Sequence, residues 1–211
     1  RSPYLLGIVL YMLLFTVTST SLYFQQADIV SRSFDDPAVR TSFFARIDFL
    51  VNLLTLLTQG LLTHRLIKWF GLGGTLAILP AVTIVSFIWL GFYPALGVLM
   101  VAQVLRRGWN YGIMKPALET LYTVIPREDK YKAKNLIDTF VYRSGDQVGA
   151  WSYNGLMAVG LGLSAIAFVY VPVAFIWLGT GAALGVAQNK RAAWVEKERS
   201  STGLTPVPAG D

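Results

Sequence analysis

Apolar residues in this chain occur in long stretches that short polar or charged segments separate. Residues 4–24, for example, contain no charged side chain, and about 20 apolar residues in a helix suffice to cross the ~30 Å hydrocarbon core of a bilayer. The pattern therefore predicts an all-α membrane protein with a bundle of six transmembrane helices within residues 1–188. The predicted spans are residues 4–24, 43–63, 74–92, 95–124, 136–162 and 164–187.

The chain after the last predicted span has a different composition. Residues 189–211 are charged at first and then rich in Ser, Thr, Pro and Gly. Such a segment holds too little apolar surface to form a core. We therefore expect residues 189–211 to form a disordered tail on the cytoplasmic side.

Composition supports the membrane assignment and excludes several classes of function. Charged residues make up only 14% of the chain and the mean hydropathy is +0.51, whereas soluble domains carry roughly 25% charged residues. The net charge of +6 does not indicate nucleic-acid binding, because the basic residues lie in short loops between apolar spans, where they fix orientation. The chain has no cysteine, which excludes disulfides and thiolate chemistry.

The distribution of Lys and Arg over the loops predicts the orientation. One side of the membrane receives only Arg32 and Arg40. The other side receives Arg1, Arg65, Lys68, Arg127, Lys130, Lys132, Lys134, Lys190, Arg191, Lys197 and Arg199. Positive residues accumulate on the cytoplasmic side, so we expect both termini in the cytoplasm and the protein in a bacterial inner (cell) membrane. The first span begins almost at Arg1, which is not Met, and this predicts that an upstream part is missing.

Polar and ionisable residues inside the spans are the candidate functional residues, because charge at membrane depth is costly. The first span has a polar stripe at helical spacing, which either lines a cavity or packs against other helices. The second span carries Asp48 and Asn52 on one face. The fourth and fifth spans hold further candidates: Arg107, Tyr111 and Glu119, and Asp138, Arg143 and Asp146. Spans one, two, four and five are therefore expected to surround a water-filled cavity, with spans three and six outside.

Each candidate also has a structural interpretation that the sequence leaves open. Arg107 could bind an anionic group with its planar fork, or pair with Asp138, Asp146 or Asp48 to fix helix packing. Arg143 and Asp146 could neutralise each other, and Lys115 is expected to form an exposed pair with Glu119, four residues further along the helix. The aromatic residues of these spans either stack a ring of the solute or fill helix interfaces; they are Trp109, Tyr111, Tyr142 and Trp151.

The division into inner and outer spans resembles one six-helix half of a major facilitator superfamily transporter. The loop after the second span adds Gly60, Arg65, Lys68 and Gly71, similar to the basic loop of that superfamily, although His64 stands where it usually has Asp. The resemblance implies the C-terminal half of a twelve-helix major facilitator fold, and its partner would be the missing N-terminal six-helix half.

A second resemblance covers about 40 residues and concerns the ATP:ADP antiporter (nucleotide transporter) family. The resembling residues are Arg107, Tyr111, Pro116, Glu119, Ile125-Pro126, Lys130, Lys134, Ile137-Asp138 and Gly145. In that family, intramembrane basic residues are thought to hold phosphates and acids to couple exchange. Here Asn110, Leu118 and Asp146 stand where Lys is expected, and Lys115 is added. A polyphosphate needs several cations, so the resemblance implies an anionic or nucleotide-like solute rather than ATP itself.

The sequence thus predicts a secondary active transporter for a small anionic or nucleotide-like solute, which works by alternating access. In this prediction Arg107, Tyr111, Glu119, Arg143 and Asp146 bind the solute or gate its path. Asp48, Asn52 and Asp138 are coupling or ion-pair candidates. The alternative is a membrane scaffold or regulatory protein of the same fold that transports nothing. An enzyme is not expected, because no nucleophile motif, metal-ligand spacing or phosphate-binding loop occurs, and no cofactor is predicted.

Overall fold

The computed structural model describes residues 3–61, 63–125 and 127–201 of the chain. Nearly all of these residues are helical, and no strand occurs among them. The helices are α1 (Pro3–Ser33), α2 (Pro37–Leu61), α3 (Thr63–Phe92), α4 (Leu96–Trp109), α5 (Lys115–Leu121), α6 (Arg127–Leu136), α7 (Tyr142–Ala158) and α8 (Leu163–Ser201). The predicted all-α class is therefore confirmed.

Two π-helical turns join shorter helices into continuous helical runs. Turn π1 (Asn110–Met114) connects α4 to α5, and turn π2 (Ile137–Val141) connects α6 to α7. A 3₁₀ turn, Tyr122–Val124, follows α5. We call the first run α4–α5 and the second run α6–α7.

Four helices are long and apolar enough to cross a membrane, namely α1, α2, α3 and α8. They correspond to the first, second, third and sixth predicted spans. The fourth and fifth predicted spans fall on α4–α5 and α6–α7. These runs contain charged residues and are divided by the π turns, so neither is a regular α-helix of spanning length.

Several predicted loops are helical, which corrects the predicted boundaries. Helix α1 continues to Ser33, and α2 already begins at Pro37, where the Asp36 carboxylate accepts the Ala38 N–H at 2.8 Å and so satisfies an otherwise unpaired donor of the first turn. The basic segment after Pro126 forms α6. Polar residues with good helix propensity extend a helix beyond its apolar part, and apolar periodicity alone does not show this.

The prediction of a disordered tail is also wrong for residues 189–201. Helix α8 continues through residues 189–201 to Ser201, because Lys, Arg, Ala and Glu dominate this segment and favour helix. Residues 202–211 lie outside the described residues.

The bend in α3 lies at Gly71 and not at Pro80, although a proline inside a helix usually bends it. The backbone is helical at Pro80, and the non-helical residue is Gly71, with φ 66° and ψ 177°. Positive φ favours glycine because it has no Cβ. Gly71 separates a short basic helix at the start of α3 from the apolar part that follows.

Helix pairing places α3 and α8 together as one layer behind the other helices. Helix α3 packs most extensively against α8, α1 packs against α7 and α8, and α2 packs against α4. Two glycines allow the closest approach in this layer, since a Cβ at Gly185 would collide with the backbone of Gly73. The core around the layer includes Trp177, which contacts the rings of Tyr11 and Phe15.

Large apolar side chains are exposed on the outside of the helices. Examples are Leu6 on α1, Phe49 and Leu56 on α2, and Phe175 and Ile176 on α8. Exposed apolar surface of this extent marks a protein or membrane contact. It agrees with an integral membrane protein whose outer surface meets lipid.

Candidate functional site

A cleft lies between α1 and α2 and the runs α4–α5 and α6–α7. It consists of two open cavities of about 740 Å³ and 850 Å³. Phe15, Asn110 and Tyr111 line both cavities, so the two adjoin. Their lining residues come from these four helical segments, and none comes from α3 or α8. The sequence predicted this division between inner and outer segments.

The smaller cavity, here called the Lys134 cavity, contains a cross-helix ion pair. Lys134 of α6 donates to the Glu119 carboxylate of α5, with 2.5 Å between Nζ and Oε1. This hydrogen bond raises the pKa of the Lys134 ammonium above its usual range, so Lys134 is protonated at neutral pH. Asp138 also lines this cavity.

The predicted pair between Lys115 and Glu119 does not form. The Lys115 ammonium lies 4.7 Å from the centre of the Tyr111 ring instead, in a cation–π contact. Glu119 turns towards α6 and takes Lys134 as its partner. A partner from another helix competes with one on the same helix, and sequence spacing does not reveal that partner.

The larger cavity, here called the Arg106 cavity, contains a second ion pair, between α4 and α2. Arg107 Nη1 lies 2.7 Å from Asp48 Oδ1, and the two side chains are 32% and 56% exposed. The structure therefore selects one of the alternatives left open by the sequence, a pairing of Arg107 with Asp48. The carboxylate that Arg107 faces occupies one position where an anionic solute would bind.

Arg106 is the residue of this cavity that the sequence analysis missed. Its side chain is buried, with 7% exposed, and Nη1 donates to Ser19 Oγ of α1 at 2.6 Å. Its Nε has no hydrogen-bond partner. The spacing of Gln103, Arg106 and Asn110, in steps of three and four, was the available signal, because it places three polar residues on the buried face of α4 and π1.

Asp146 of α7 lies on the other wall of the Arg106 cavity, where its Oδ1 accepts a hydrogen bond from Thr20 of α1 at 2.9 Å. The predicted pair between Arg143 and Asp146 is absent. Arg143 is exposed and forms no ion pair with the part of the chain that the structure describes. Asn52 is exposed as well, and neither residue lines the cleft.

The polar stripe of the first span packs against other helices and does not line the cleft; its residues are Gly7, Tyr11, Thr18, Ser21 and Gln25. The Tyr11 hydroxyl, for instance, donates to the Leu76 carbonyl of α3 at 2.8 Å. Among the candidate aromatics, Tyr142 packs edge-on against Phe15, Trp151 is exposed, and Tyr111 faces the cleft. Helix packing therefore explains part of the polar pattern, and Tyr111 is the member of the four candidate aromatics that lines both cavities.

The cleft can hold a polar solute of limited charge. Each cavity is lined by two cationic and two acidic side chains: Lys115, Lys134, Glu119 and Asp138 in one, and Arg106, Arg107, Asp48 and Asp146 in the other. Within each set one ion pair is formed. Each cavity therefore offers a solute one cationic and one acidic side chain outside the ion pair, and its surface is not strongly positive.

Comparisons with protein-family models, curated proteins and solved structures found no significant match to this chain. Both resemblances to transporter families therefore stay predictions from the residues that carry them. The structure itself shows an all-helical protein with apolar helices of membrane-spanning length.

Proposed function

We propose that this chain forms a six-helix bundle of a secondary active transporter, corresponding to one half of a major facilitator fold. The proposed solute is small and anionic or nucleotide-like. The observation that carries the proposal is the cleft lined by α1, α2, α4–α5 and α6–α7, with α3 and α8 behind it. In this proposal the two interrupted runs also cross the membrane.

The composition of the cleft supports transport. Charged and amide side chains project into an open space, although the outer surface of the same helices is apolar. Side chains of this kind are costly at membrane depth unless they face water or a bound solute. Alternating access further requires a second bundle opposite the cleft, against which this bundle rocks. That second bundle is the proposed protein partner.

The proposed location is a bacterial inner (cell) membrane with both termini in the cytoplasm. The support is the concentration of Lys and Arg in the alternating connections and in the C-terminal extension of α8. With this orientation, the Lys134 cavity lies towards the cytoplasm and the Arg106 cavity towards the opposite side, because α1 contributes Met12 to the first and Tyr23 to the second.

The ion pairs favour a second candidate, a scaffold or regulatory protein of the same fold. Such a protein needs its charges paired within the chain and needs no open cleft. Arg107–Asp48 and Lys134–Glu119 fit the first condition. The unpaired Nε of Arg106 does not fit the first condition, and the two open cavities do not fit the second. Transport is therefore the better supported of the two.

Uptake by proteoliposomes tests the proposal. The chain is reconstituted into vesicles together with the second bundle that the proposal requires. The vesicles are preloaded with unlabelled solute, and uptake of labelled ATP, ADP and small organic anions is measured. We expect saturable uptake of at least one organic anion and loss of most of it in Arg107→Ala, which leaves Asp48 without its partner. The matched control is Arg32→Ala, at the exposed end of α1. No uptake of any of these solutes above empty liposomes would favour the scaffold.

A further inference from the structure

Arg106 differs from the other basic residues of the cleft because it is buried and lacks an acidic partner. Its guanidinium forms no ion pair with any carboxylate of residues 3–61, 63–125 and 127–201. It has a neutral hydroxyl, Ser19 Oγ, on Nη1 and nothing on Nε. A buried cation without a counter-ion is costly, and an anion bound from the cavity would remove that cost.

Two further unpaired polar atoms lie on the same helical face. Gln103 Oε1 and Asn110 Oδ1 are buried without a hydrogen-bond partner, and both residues line the Arg106 cavity. Gln103 Nε2 points to the Leu22 carbonyl at 3.5 Å, which leaves Oε1 as the free end. Native structures pair nearly all buried polar atoms, so one free donor flanked by two free acceptors indicates a ligand that complements all three.

The charge of the cavity limits the ligand to a single negative charge. Arg107 is already paired with Asp48, and Asp146 adds a second carboxylate without a cationic partner among the described residues. A diphosphate or triphosphate here would meet one uncompensated guanidinium and a repelling carboxylate. One carboxylate group matches one guanidinium fork in charge and geometry.

We propose that the Arg106 cavity binds a small carboxylate that carries a hydroxyl or ammonium donor near the carboxyl group. The carboxylate binds Arg106, and the donor binds the free oxygens of Gln103 and Asn110. An ammonium group would also find Asp146 on the opposite wall, where Thr20 occupies Oδ1. The inference rests on the proposed transport function and narrows its solute to hydroxycarboxylates, which are anions, or aminocarboxylates, which are zwitterions with one carboxylate group.

Ligand-dependent thermal unfolding of the purified full chain in detergent tests the site without requiring transport. The probes are L-lactate, L-alanine, acetate and ADP at equal concentration and matched ionic strength. A ligand of the native state raises the unfolding midpoint as its concentration exceeds Kd. We expect a shift with lactate or alanine, a smaller one with acetate, and none with ADP. Comparison of the first two probes distinguishes a hydroxyl from an ammonium donor.

Variants assign the shift to Arg106. Arg106→Gln should raise the Kd of the active probe by about 10- to 100-fold, as expected for the loss of a charge-assisted hydrogen bond. Arg32→Gln is the matched control and should leave Kd unchanged. Ser19→Ala removes the hydrogen-bond partner of Arg106 but keeps the guanidinium, so it should retain binding of the probe. This variant tests the site if Arg106→Gln does not fold.

Three results would overturn the assignment. They are no midpoint shift with lactate or alanine in the wild type, a larger shift with ADP than with either, or an unchanged Kd in Arg106→Gln. Failure of transport is distinguishable from these results. Probe binding without uptake would contradict the transporter alone, and uptake of a nucleotide without carboxylate binding would contradict the Arg106 site alone.

Discussion

Adjacent residues on α4 have opposite surroundings, because successive side chains on a helix point about 100° apart. Arg107 reaches across to Asp48 of α2, while Arg106 is buried against α1 with Ser19 as its hydrogen-bond partner. Residue spacing favours Arg107 as the binding candidate, yet the structure leaves Arg106 with the unpaired donor. A one-residue shift on the helix is thus enough to separate a guanidinium with an acidic partner from one without.

A double-mutant cycle tests whether Arg107 and Asp48 form an energetically significant pair. We expect Arg107→Ala and Asp48→Ala to lower the free energy of unfolding in detergent by less in combination than the sum of the single effects. The coupling should be about 0.2–1 kcal/mol, since both side chains are partly exposed and the pair is screened. Additive single effects would show that the 2.7 Å contact contributes no stability.

The pair Lys132–Glu128 provides the reference for this cycle. It has the same 2.7 Å separation, but both side chains are more than two-thirds exposed. Its coupling should be smaller than that of Arg107–Asp48, because the surrounding water screens it more strongly. Chemical unfolding followed by tryptophan fluorescence serves both cycles.

At the scale of the elements, both π turns lie in the cleft-lining runs. Turn π1 contributes Asn110 and Tyr111 to both cavities, and π2 contributes Ile137 and Asp138 to the Lys134 cavity. A π turn inserts an extra residue into a helix and so changes the direction of the side chains after it. Lys115 and Glu119 both follow π1 within α5, so their mutual spacing stays regular, and they do not pair because Glu119 takes Lys134 of α6 as its partner.

Glycines determine how closely α7 approaches α1. A Cβ at Gly145 would collide with the Thr16 side chain, and one at Gly149 would lie 2.8 Å from Thr20 Cβ. Thr20 also donates to Asp146. Close packing of these helices therefore positions the carboxylate on the wall of the Arg106 cavity.

Gly145→Ala should destabilise the bundle by about 1–3 kcal/mol, the usual cost of an overpacked interface. Gly155→Ala on the same helix is the matched control, because a Cβ there meets no atom within 4 Å. It should be neutral or slightly stabilising, since alanine favours helix over glycine. Unfolding midpoints in detergent measure both, and equal midpoints for the two variants would contradict the close contact.

At the scale of the whole molecule, the number of membrane crossings determines which connections between helices lie on the same side of the membrane. If α4–α5 and α6–α7 both cross, the connection between α1 and α2 and helix α6 lie on opposite sides. If only the four apolar helices cross, the two regions lie on the same side. Whether these two runs cross the membrane is open to test because they contain charged residues and π turns. The proposed six-helix bundle requires that both cross.

Single cysteines distinguish the two arrangements, because the chain has no cysteine of its own. Asp35→Cys lies between α1 and α2, and Asp129→Cys lies on α6; both positions are exposed. With an impermeant thiol reagent added to intact cells, we expect labelling of the first variant only. After the membrane is opened, both should be labelled. Labelling of both in intact cells would exclude six crossings.

The sequence alone predicts the all-α class, the four long apolar helices and the division into cleft-lining and outer segments. These properties follow from composition and periodicity along one helix, because apolar length and the placement of charge depend only on local sequence. The helical extensions of α1, α6 and α8 were not predicted, since polar residues with good helix propensity leave no apolar signal.

The pairing of the charges depends on the tertiary structure. Of the three acids considered for Arg107, Asp48 forms the ion pair. Glu119 pairs with Lys134 and not with Lys115. Arg106 has no acidic partner among the described residues. These outcomes depend on contacts between residues of different helices. Spacing along a single helix does not contain this information, and for that reason the proposed binding residue follows from the packing of α4 against α1 and α2.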